Sequence, residues 1–226
     1  MQIQYVFEEE MKKLKDLIPR YAVIPLISIF VLNMAVYYLS KPFVFWRDKF
    51  DLSLPIDYQI PLLTPFMIIY LLAFVQWGLG YIIIARENRE MCARAVSSDL
   101  IAKVICFLFF VILPTEIQRP EVTDGGLIGF VTKFVYWIDT PVNLFPSIHC
   151  LESYSIMRFT FSLKKVPLGY KIVMAVFSFA VFASVLFTRQ HFLIDIPAGI
   201  LVLEIGIILS KITKFDKVVL KHTLKY

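Results

Sequence analysis

Two of the three histidines in this 226-residue chain, His149 and His191, lie where polar segments meet long apolar stretches. Each belongs to a short polar motif, N-L-F-P-S-I-H over residues 143–149 and R-Q-H-F-L-I-D over residues 189–195. Histidine is the side chain best suited to moving protons near neutral pH, and it also acts as a nucleophile. Two histidines in this setting, with arginine and a carboxylate close by, indicate a reaction centre.

The composition is typical of an integral membrane protein. Hydrophobic residues make up 58% of the chain and the mean hydropathy is +0.72, which is far from the composition of a soluble domain. The net charge is +5, but the basic residues are spread over alternate loops and form no stripe of the kind that binds nucleic acid. The three cysteines are unpatterned, so neither a disulfide framework nor a thiolate metal site is indicated.

The apolar windows predict an all-α integral membrane bundle of six helices. A bilayer core needs about 20 apolar residues per helix, and windows near that size fall at 21–39, 61–85, 97–113, 146–161, 168–188 and 191–212. We expect residues 1–20 to form an amphipathic cytoplasmic segment, residues 21–212 the catalytic membrane domain, and residues 213–226 a basic cytoplasmic tail. The predicted location is the cell membrane, with several passes.

The distribution of basic residues predicts the orientation, because cytoplasmic loops carry an excess of Lys and Arg. Basic residues precede the first window, follow the second and the fourth, and close the chain, whereas the opposite loops are richer in acids. Both termini are therefore expected inside. This rule, which does not use the motifs, places four motif residues together at the outer face: Arg119, His149, Arg189 and His191.

The spacing of His191 and Asp195 predicts a contact one turn apart on a helix. The carboxylate would fix the tautomer of the imidazole and leave its other nitrogen as a nucleophile or base. In the second motif, Ser147 and His149 are expected in the opening turn of a helix, where free N–H groups favour an anion. For each motif the alternative is a structural helix start with an incidental histidine.

Two arginines complete the set, because the guanidinium matches phosphate oxygens in shape and charge. We expect Arg119 to end the third helix and Arg189 to end the fifth. A single arginine at this depth is more often an interfacial anchor. Two arginines, two histidines, a serine and two helix N-termini on one face instead suggest a phosphate group that is held in place and attacked.

These residues resemble the membrane-bound type 2 phosphatidic acid phosphatase superfamily, whose relatives include the haloperoxidases and, more distantly, the sphingolipid and inositol-phosphorylceramide synthases. The family pattern runs Lys-x6-Arg-Pro, then Pro-Ser-Gly-His, then Ser-Arg-x5-His-x3-Asp. The matching positions are Arg119, Pro120, Pro146, Ser147, His149, Ser184, His191 and Asp195. The chain departs from the pattern at Ile112, Ile148 and Val185, so two cations of the family are missing. From helical geometry, Arg189 could supply one of them. A Lys or Arg two positions before the histidine, as Arg189 is here, resembles a bacterial subgroup close to the inositol-phosphorylceramide synthases.

The resemblance implies that His191 attacks phosphorus, Asp195 orients it, and His149 serves as general acid and base. Arg119 and Ser147 would bind the phosphoryl oxygens together with Arg189, which is added from helical geometry, and Ser184 and Asn143 would support them. Glu152 is three residues past His149 on the same helical face, and its spacing predicts either that it orients that imidazole or that it is a cap or interfacial anchor. The resemblance also implies a lipid phosphomonoester or pyrophosphate as substrate and no metal or other cofactor. Water as acceptor would make a phosphatase, and an alcohol would make a phosphotransferase. The oligomeric state stays open.

Two other functions remain open from the sequence. His149, His191 and Asp195 have plausible spacing for metal ligands, although the neighbouring arginines would repel a cation. A transporter or a non-catalytic lipid-binding protein is the other alternative. Deeper in the apolar windows, Lys103 and Glu204 are expected to form a structural pair, since unpaired charges in a membrane are costly.

Overall fold

The structure is a computed structural model that describes residues 17–223. Over that range the chain is all-helical, with two isolated β-bridges and no strand. Its α-helices, numbered in chain order, are α1 (Val23–Val44), α2 (Phe66–Glu87), α3 (Arg89–Ile112), α4 (Gly126–Ile138), α5 (Ile148–Thr160), α6 (Leu168–Phe187), α7 (Asp195–Ile212) and α8 (Phe215–Thr223). Most of the predicted amphipathic segment 1–20 lies outside the described residues.

The prediction of six spans is confirmed only in part. Helices α1, α2, α3 and α6 are each long and apolar enough to cross a membrane, and α7 with α8 adds a fifth candidate that is bent by 76°. Helix α5 has only 13 residues, fewer than the roughly 20 that a bilayer core requires. Helix α4 lies where the sequence predicts a loop.

The outward faces of the long helices carry large apolar side chains. Phe30 on α1, Val176 and Phe179 on α6 and Leu201 on α7 are all more than half exposed. Contiguous apolar surface of this kind is rare on soluble monomers. These faces suit contact with lipid, which agrees with a membrane protein.

Helices α2 and α3 are joined by a single residue, Asn88, rather than by the loop that the windows predict. Its backbone is extended, and its side-chain oxygen accepts a hydrogen bond from the Met91 N–H at 2.8 Å. This is the N-cap role in which Asn satisfies an otherwise unpaired donor. The cap stabilises the turn at which the chain passes from α2 into α3, and both helices contribute buried residues to the core.

A buried ionic cluster lies at the centre of the bundle. The Lys103 ammonium on α3 is 2.8 Å from the Asp99 carboxylate and 2.5 Å from that of Glu152 on α5. It also donates to the carbonyl of Ile29 on α1 at 3.2 Å. The hydroxyl of Tyr81, on α2, lies 2.8 Å from Glu152 and 3.2 Å from Asp99. Four helices are therefore held at one buried point.

This cluster corrects two predictions. Glu152 pairs with Lys103 rather than orienting His149. The predicted Lys103–Glu204 pair is wrong, because Glu204 accepts from the Tyr154 hydroxyl at 2.7 Å and from Arg158 at 3.1 Å. The position of these charged residues in the apolar windows indicated how deep they lie. It did not indicate which helices face each other.

Helices α5 and α7 meet at Gly199. A Cβ atom at that position would lie 2.5 Å from the carbonyl oxygen of Ser147, well inside van der Waals contact. Close to this point the Ser147 N–H donates to the carbonyl of Asp195 at 3.2 Å. The missing side chain thus allows the starts of the two motif-bearing helices to touch.

We expect Lys103→Met to lower the free energy of unfolding by about 3–5 kcal/mol, because it leaves two buried carboxylates without their cation. Arg158→Met is the matched control. The Arg158–Glu204 pair is partly exposed, so its loss should cost less than about 1 kcal/mol. Unfolding of the purified protein in detergent, followed by circular dichroism, measures both. Equal effects of the two substitutions would contradict a central role for the cluster.

Candidate functional site

A cavity of about 300 Å³ lies at the end of the bundle where α5 and α7 begin. Helices α1 and α2 contribute aromatic side chains to its wall, namely Tyr37, Tyr38, Tyr70, Phe74 and Trp77. The connecting segments and the start of α5 contribute polar groups, namely Arg119, Asp139, Asn143, His149, Gln190 and His191. The cavity is therefore apolar over much of its surface, with polar groups at one end.

His191 and Asp195 are in contact, but not on one helix as predicted. Helix α7 begins only at Asp195, so His191 lies in the turn that precedes it. The buried Asp195 Oδ2 lies 3.1 Å from His191 Nδ1 and accepts a hydrogen bond from the Phe192 N–H at 2.9 Å. The carboxylate is thus fixed by the backbone of the same turn. This arrangement orients the imidazole and leaves its Nε2 atom unbound by Asp195.

His149 lies in the first turn of α5, as predicted, and is packed among aromatic rings. Its ring is stacked on Tyr70 with centroids 4.3 Å apart, and the Trp77 and Phe74 centroids lie at 5.1 and 5.5 Å. The centroid of His191 is 6.0 Å away. The Nε2 atom of His149 is buried without a hydrogen-bond partner in the protein. A buried polar atom with no partner is rare, and a ligand in the cavity would satisfy it.

Arg119 reaches the cavity from a loop, because α3 ends at Ile112 and not at Arg119 as predicted. Its guanidinium donates to the carbonyls of Asp139 at 2.5 Å and Tyr136 at 3.3 Å, and to the Gln190 side-chain oxygen. Its Nε atom and the Gln190 Nε2 atom are both buried and unpaired. Because an Arg can only donate, Gln190 must turn its oxygen to Arg119 and keep its amino group free. Both free groups are donors.

The other predicted anion-binding residues have different surroundings. Arg189 donates to the carbonyls of Asp57 and Ile60 in the loop before α2, and it is not among the residues that line the cavity. The Ser147 hydroxyl is the N-cap of α5 and accepts from the Cys150 N–H at 3.3 Å. The Ser184 hydroxyl donates to the Val181 carbonyl of its own helix at 2.8 Å. All three side chains therefore bond to backbone groups, and none of the three residues lines the cavity.

Asn143 lines the cavity directly, whereas the sequence predicted only a supporting role for it. Its backbone has φ +61°, a left-handed conformation that Asn tolerates better than most residues. Its amino group donates to the Ser40 hydroxyl at 2.9 Å, and its carboxamide oxygen is buried without a partner. Arg189, with φ +52°, has the same backbone conformation before the second motif histidine. Such conformations persist where the surrounding structure enforces them, as it often does at binding sites.

Asp139 and Gln190 also line the cavity, although neither was predicted as a site residue. Asp139 accepts hydrogen bonds from the Tyr37 and Tyr70 hydroxyls at 2.9 and 3.1 Å, and its Oδ2 lies 4.0 Å from the Arg119 guanidinium. Gln190 is adjacent to His191, which was the one signal available for it. Asp139 lies outside both motifs, four residues before the first begins at Asn143, and the fold brings it next to Arg119.

No group of three or more His, Cys, Asp or Glu side chains within residues 17–223 is arranged to hold a metal ion. His191 and Asp195 contact each other directly, as a hydrogen-bonded pair does.

Comparisons of the chain with protein-family models, with curated proteins and with solved structures find no match. Two imidazoles, one of them held by a buried carboxylate, line the same cavity as the Arg119 guanidinium, together with many apolar side chains. This set of groups can bind an anion and exchange protons with it.

We expect Arg119→Gln to weaken the binding of orthovanadate, a phosphate analogue, at least about tenfold, because it removes the charged donor of the cavity. Arg189→Gln is the matched control and should leave vanadate binding unchanged, since its guanidinium is directed to the Asp57 and Ile60 carbonyls. Isothermal titration of the purified protein in detergent measures both. A larger loss in Arg189→Gln would instead support the sequence-based role of that residue.

Proposed function

We propose that this protein is a membrane-bound lipid phosphate phosphatase that works through a phosphohistidine intermediate without a metal ion. The observation that carries the proposal is the His191–Asp195 pair, whose imidazole lies 6.0 Å, between ring centroids, from a second imidazole in a cavity that also contains Arg119. The resemblance of the sequence motifs to the type 2 phosphatidic acid phosphatases supports the same reaction. Phosphatidate-like and isoprenyl phosphates are the substrates to which that resemblance points.

In this mechanism His191 is the nucleophile. Asp195 holds the Nδ1 hydrogen and stabilises the positive charge that develops on the imidazole when Nε2 attacks phosphorus. Since Asp195 is itself fixed by the Phe192 N–H, the ring needs little reorganisation before the attack. The P–N bond forms as the bond between phosphorus and the lipid oxygen breaks.

His149 is the general acid and base. Its Nε2 atom has no protein partner, so it is available to give a proton to the leaving lipid oxygen. It then takes a proton from the water that attacks phosphorus and breaks the P–N bond. The stack on Tyr70 and the neighbouring Trp77 keep the ring at a fixed angle to His191.

Arg119 and Gln190 stabilise the phosphoryl oxygens. Carbonyl groups of Tyr136 and Asp139 hold the guanidinium in place, and its free Nε–H and the free Gln190 amino group are donors. Donors that are fixed before the reaction stabilise the charge of the transition state without reorganising. In this proposal Ser147 acts through the start of α5 rather than through its hydroxyl.

The membrane supplies the substrate. The long apolar helices and their exposed apolar faces suit a multi-pass protein of a membrane. The excess of Lys and Arg in the predicted cytoplasmic segments supports an extracytoplasmic site in the cell membrane. A lipid phosphate would then present its headgroup to the cavity at the outer surface.

We expect His191→Ala to reduce phosphate release by a factor of roughly 10³ or more, because it removes the nucleophile. His149→Ala should reduce it by a factor of roughly 10² to 10⁴, the usual contribution of a general acid or base. His222→Ala is the matched control, since His222 is on α8 and does not line the cavity. Release from a panel of radiolabelled lipid phosphates, and label trapped on the protein after rapid denaturation, are the measurements. Full release by His191→Ala would eliminate the mechanism.

The orientation can be tested separately. The three native cysteines are buried, so a cysteine introduced at an exposed position reports its own accessibility. In intact cells Glu121→Cys should react with a membrane-impermeant maleimide, because Glu121 is in the predicted outer loop. Lys217→Cys, on α8, should react only after the membrane is permeabilised. The reverse pattern would place the cavity at the cytoplasmic face.

A further inference from the structure

Helix α4 carries apolar side chains around its whole circumference. It consists of 13 residues, of which Lys133 is the only charged one. A helix that is hydrophobic on all sides is stable only where all of its sides are covered, in a protein core or in a membrane. Each face of α4 therefore needs a covering partner.

The inner face of α4 is covered by the protein. Val135 is buried and lines the cavity. The Tyr136 hydroxyl donates to the Thr188 carbonyl at 2.8 Å, and the Tyr136 carbonyl accepts from Arg119 at 3.3 Å. These contacts attach α4 to the wall of the cavity and fix which of its faces points outward.

The outer face of α4 is a strip of large apolar side chains, Leu127, Phe130, Phe134 and Trp137. Leu127, Phe130 and Trp137 are 76%, 66% and 77% exposed, and Phe134 is about half exposed. Their spacing of three and four residues places them on one side of the helix. The ring centroids of Phe130 and Phe134 are 6.5 Å apart, and those of Phe134 and Trp137 are 6.0 Å apart. This outer strip is thus a continuous apolar surface that residues 17–223 leave open.

The length and composition of α4 suit the boundary between headgroups and acyl chains. At 1.5 Å per residue the helix is about 20 Å long, which is too short to cross a hydrocarbon core of roughly 30 Å. Tryptophan is enriched at membrane interfaces. Lys133 is exposed and lies four residues before Trp137, so its ammonium can reach the headgroups while its methylene groups stay among apolar side chains. An interface between two copies of the chain has no comparable use for this lysine.

Other exposed aromatic side chains mark the same level of the bundle. Trp46 follows the end of α1, eight residues after Tyr38, which lines the cavity. Tyr58 lies in the loop whose carbonyls accept from Arg189. Both are exposed, as Trp137 is, and all three are at the cavity end of the bundle. Trp and Tyr collect where a membrane meets water, so this group places α4 at a membrane surface and not beyond it.

We infer that α4 is an interfacial helix, with its outer strip embedded in the acyl-chain boundary of the membrane leaflet at the cavity end. The partner of this surface is lipid. Lys133 points to the headgroups, and the inner face of α4 forms a cavity wall at the level of the headgroups. The inference concerns how the chain sits in the membrane and holds whether or not the proposed reaction does.

Spin labelling of the intact protein in phosphatidylcholine–phosphatidylglycerol vesicles tests the inference. The three native cysteines are buried, so a nitroxide reagent labels the introduced Phe134→Cys selectively. Collisions of the nitroxide with oxygen, which concentrates among acyl chains, should exceed those with a water-soluble nickel chelate. The two rates together should place the label about 5–10 Å below the phosphates, the usual depth of an interfacial helix. Leu127→Cys, on the same strip, repeats the measurement at a second position.

Two labelled controls bracket the expected depth. Thr123→Cys, in the exposed segment before α4, should collide mainly with the nickel chelate. Val176→Cys, on the lipid-facing side of α6, should lie deeper than Phe134→Cys. A strip label that collides with nickel as often as the Thr123→Cys label would overturn the inference, because the strip would then lie in water.

Protein cover of the strip gives a different result. Low collision rates with both oxygen and nickel, together with spin–spin broadening between labels, would show that a second copy covers the strip. Low rates without broadening would show that another segment of the same chain covers it. Either result would overturn the inference.

The fluorescence of Trp137 gives a measurement without a label. In vesicles that contain lipids brominated near the headgroup end of the acyl chain, the emission lost on Trp137→Phe should be strongly quenched. Bromine near the end of the chain should quench it less, since the ring is expected at the boundary. Equal quenching in the original protein and in Trp137→Phe, combined with loss of emission from the variant only in its unquenched part, would contradict contact of Trp137 with lipid.

Discussion

The buried Lys103 ammonium, held between Asp99 and Glu152, is the interaction on which the rest of the fold depends. Charges inside a low-dielectric bundle are tolerated only when they are paired and hydrogen-bonded, so the helices that carry them have one favourable arrangement. That arrangement joins α3 to α5 directly, to α1 through the Ile29 carbonyl, and to α2 through Tyr81. Packing of apolar surfaces alone would leave helix rotation much less specified.

The cluster also sets the position of the cavity. Glu152 lies one turn after His149 on α5, and Tyr81 lies one turn after Trp77 on α2. Fixing those two residues therefore fixes the turns that hold the His149 ring between aromatic side chains. The close contact at Gly199 then brings the start of α7, with Asp195, against the start of α5. The site is thus built where constrained helix ends converge.

Charged groups at the cavity are also paired with opposite charges. Ionic groups in the interior are paired with each other, and the groups that line the cavity nearly cancel. Among the residues that line the cavity, the buried polar atoms without a partner in the protein are donors on Arg119 and Gln190, the oxygens of Asn33 and Asn143, and the His149 Nε2 atom.

The sequence by itself determined the class of protein, the positions of the long apolar helices and the contact of His191 with Asp195. Local composition and short-range spacing decide these features, because a stretch of apolar residues and a four-residue separation act within one element. Even so, the contact forms in a turn before α7 rather than on the helix. Helix α4 was missed since its 13 residues are too few for a membrane span and lie between turn-forming segments.

Only the tertiary structure decided which polar residues meet. Lys103 pairs with Glu152 and not with Glu204. Arg119 reaches the cavity from a loop and lies near Asp139. The Arg189 guanidinium donates to backbone carbonyls outside the cavity. These partners are far apart in the chain, and their choice depends on how the helices are rotated and where the loops cross. The residue types could indicate the chemistry. They could not indicate the partners, because the pairing of buried charges and polar atoms depends on three-dimensional neighbours. The fold decided which atoms were left free to perform that chemistry.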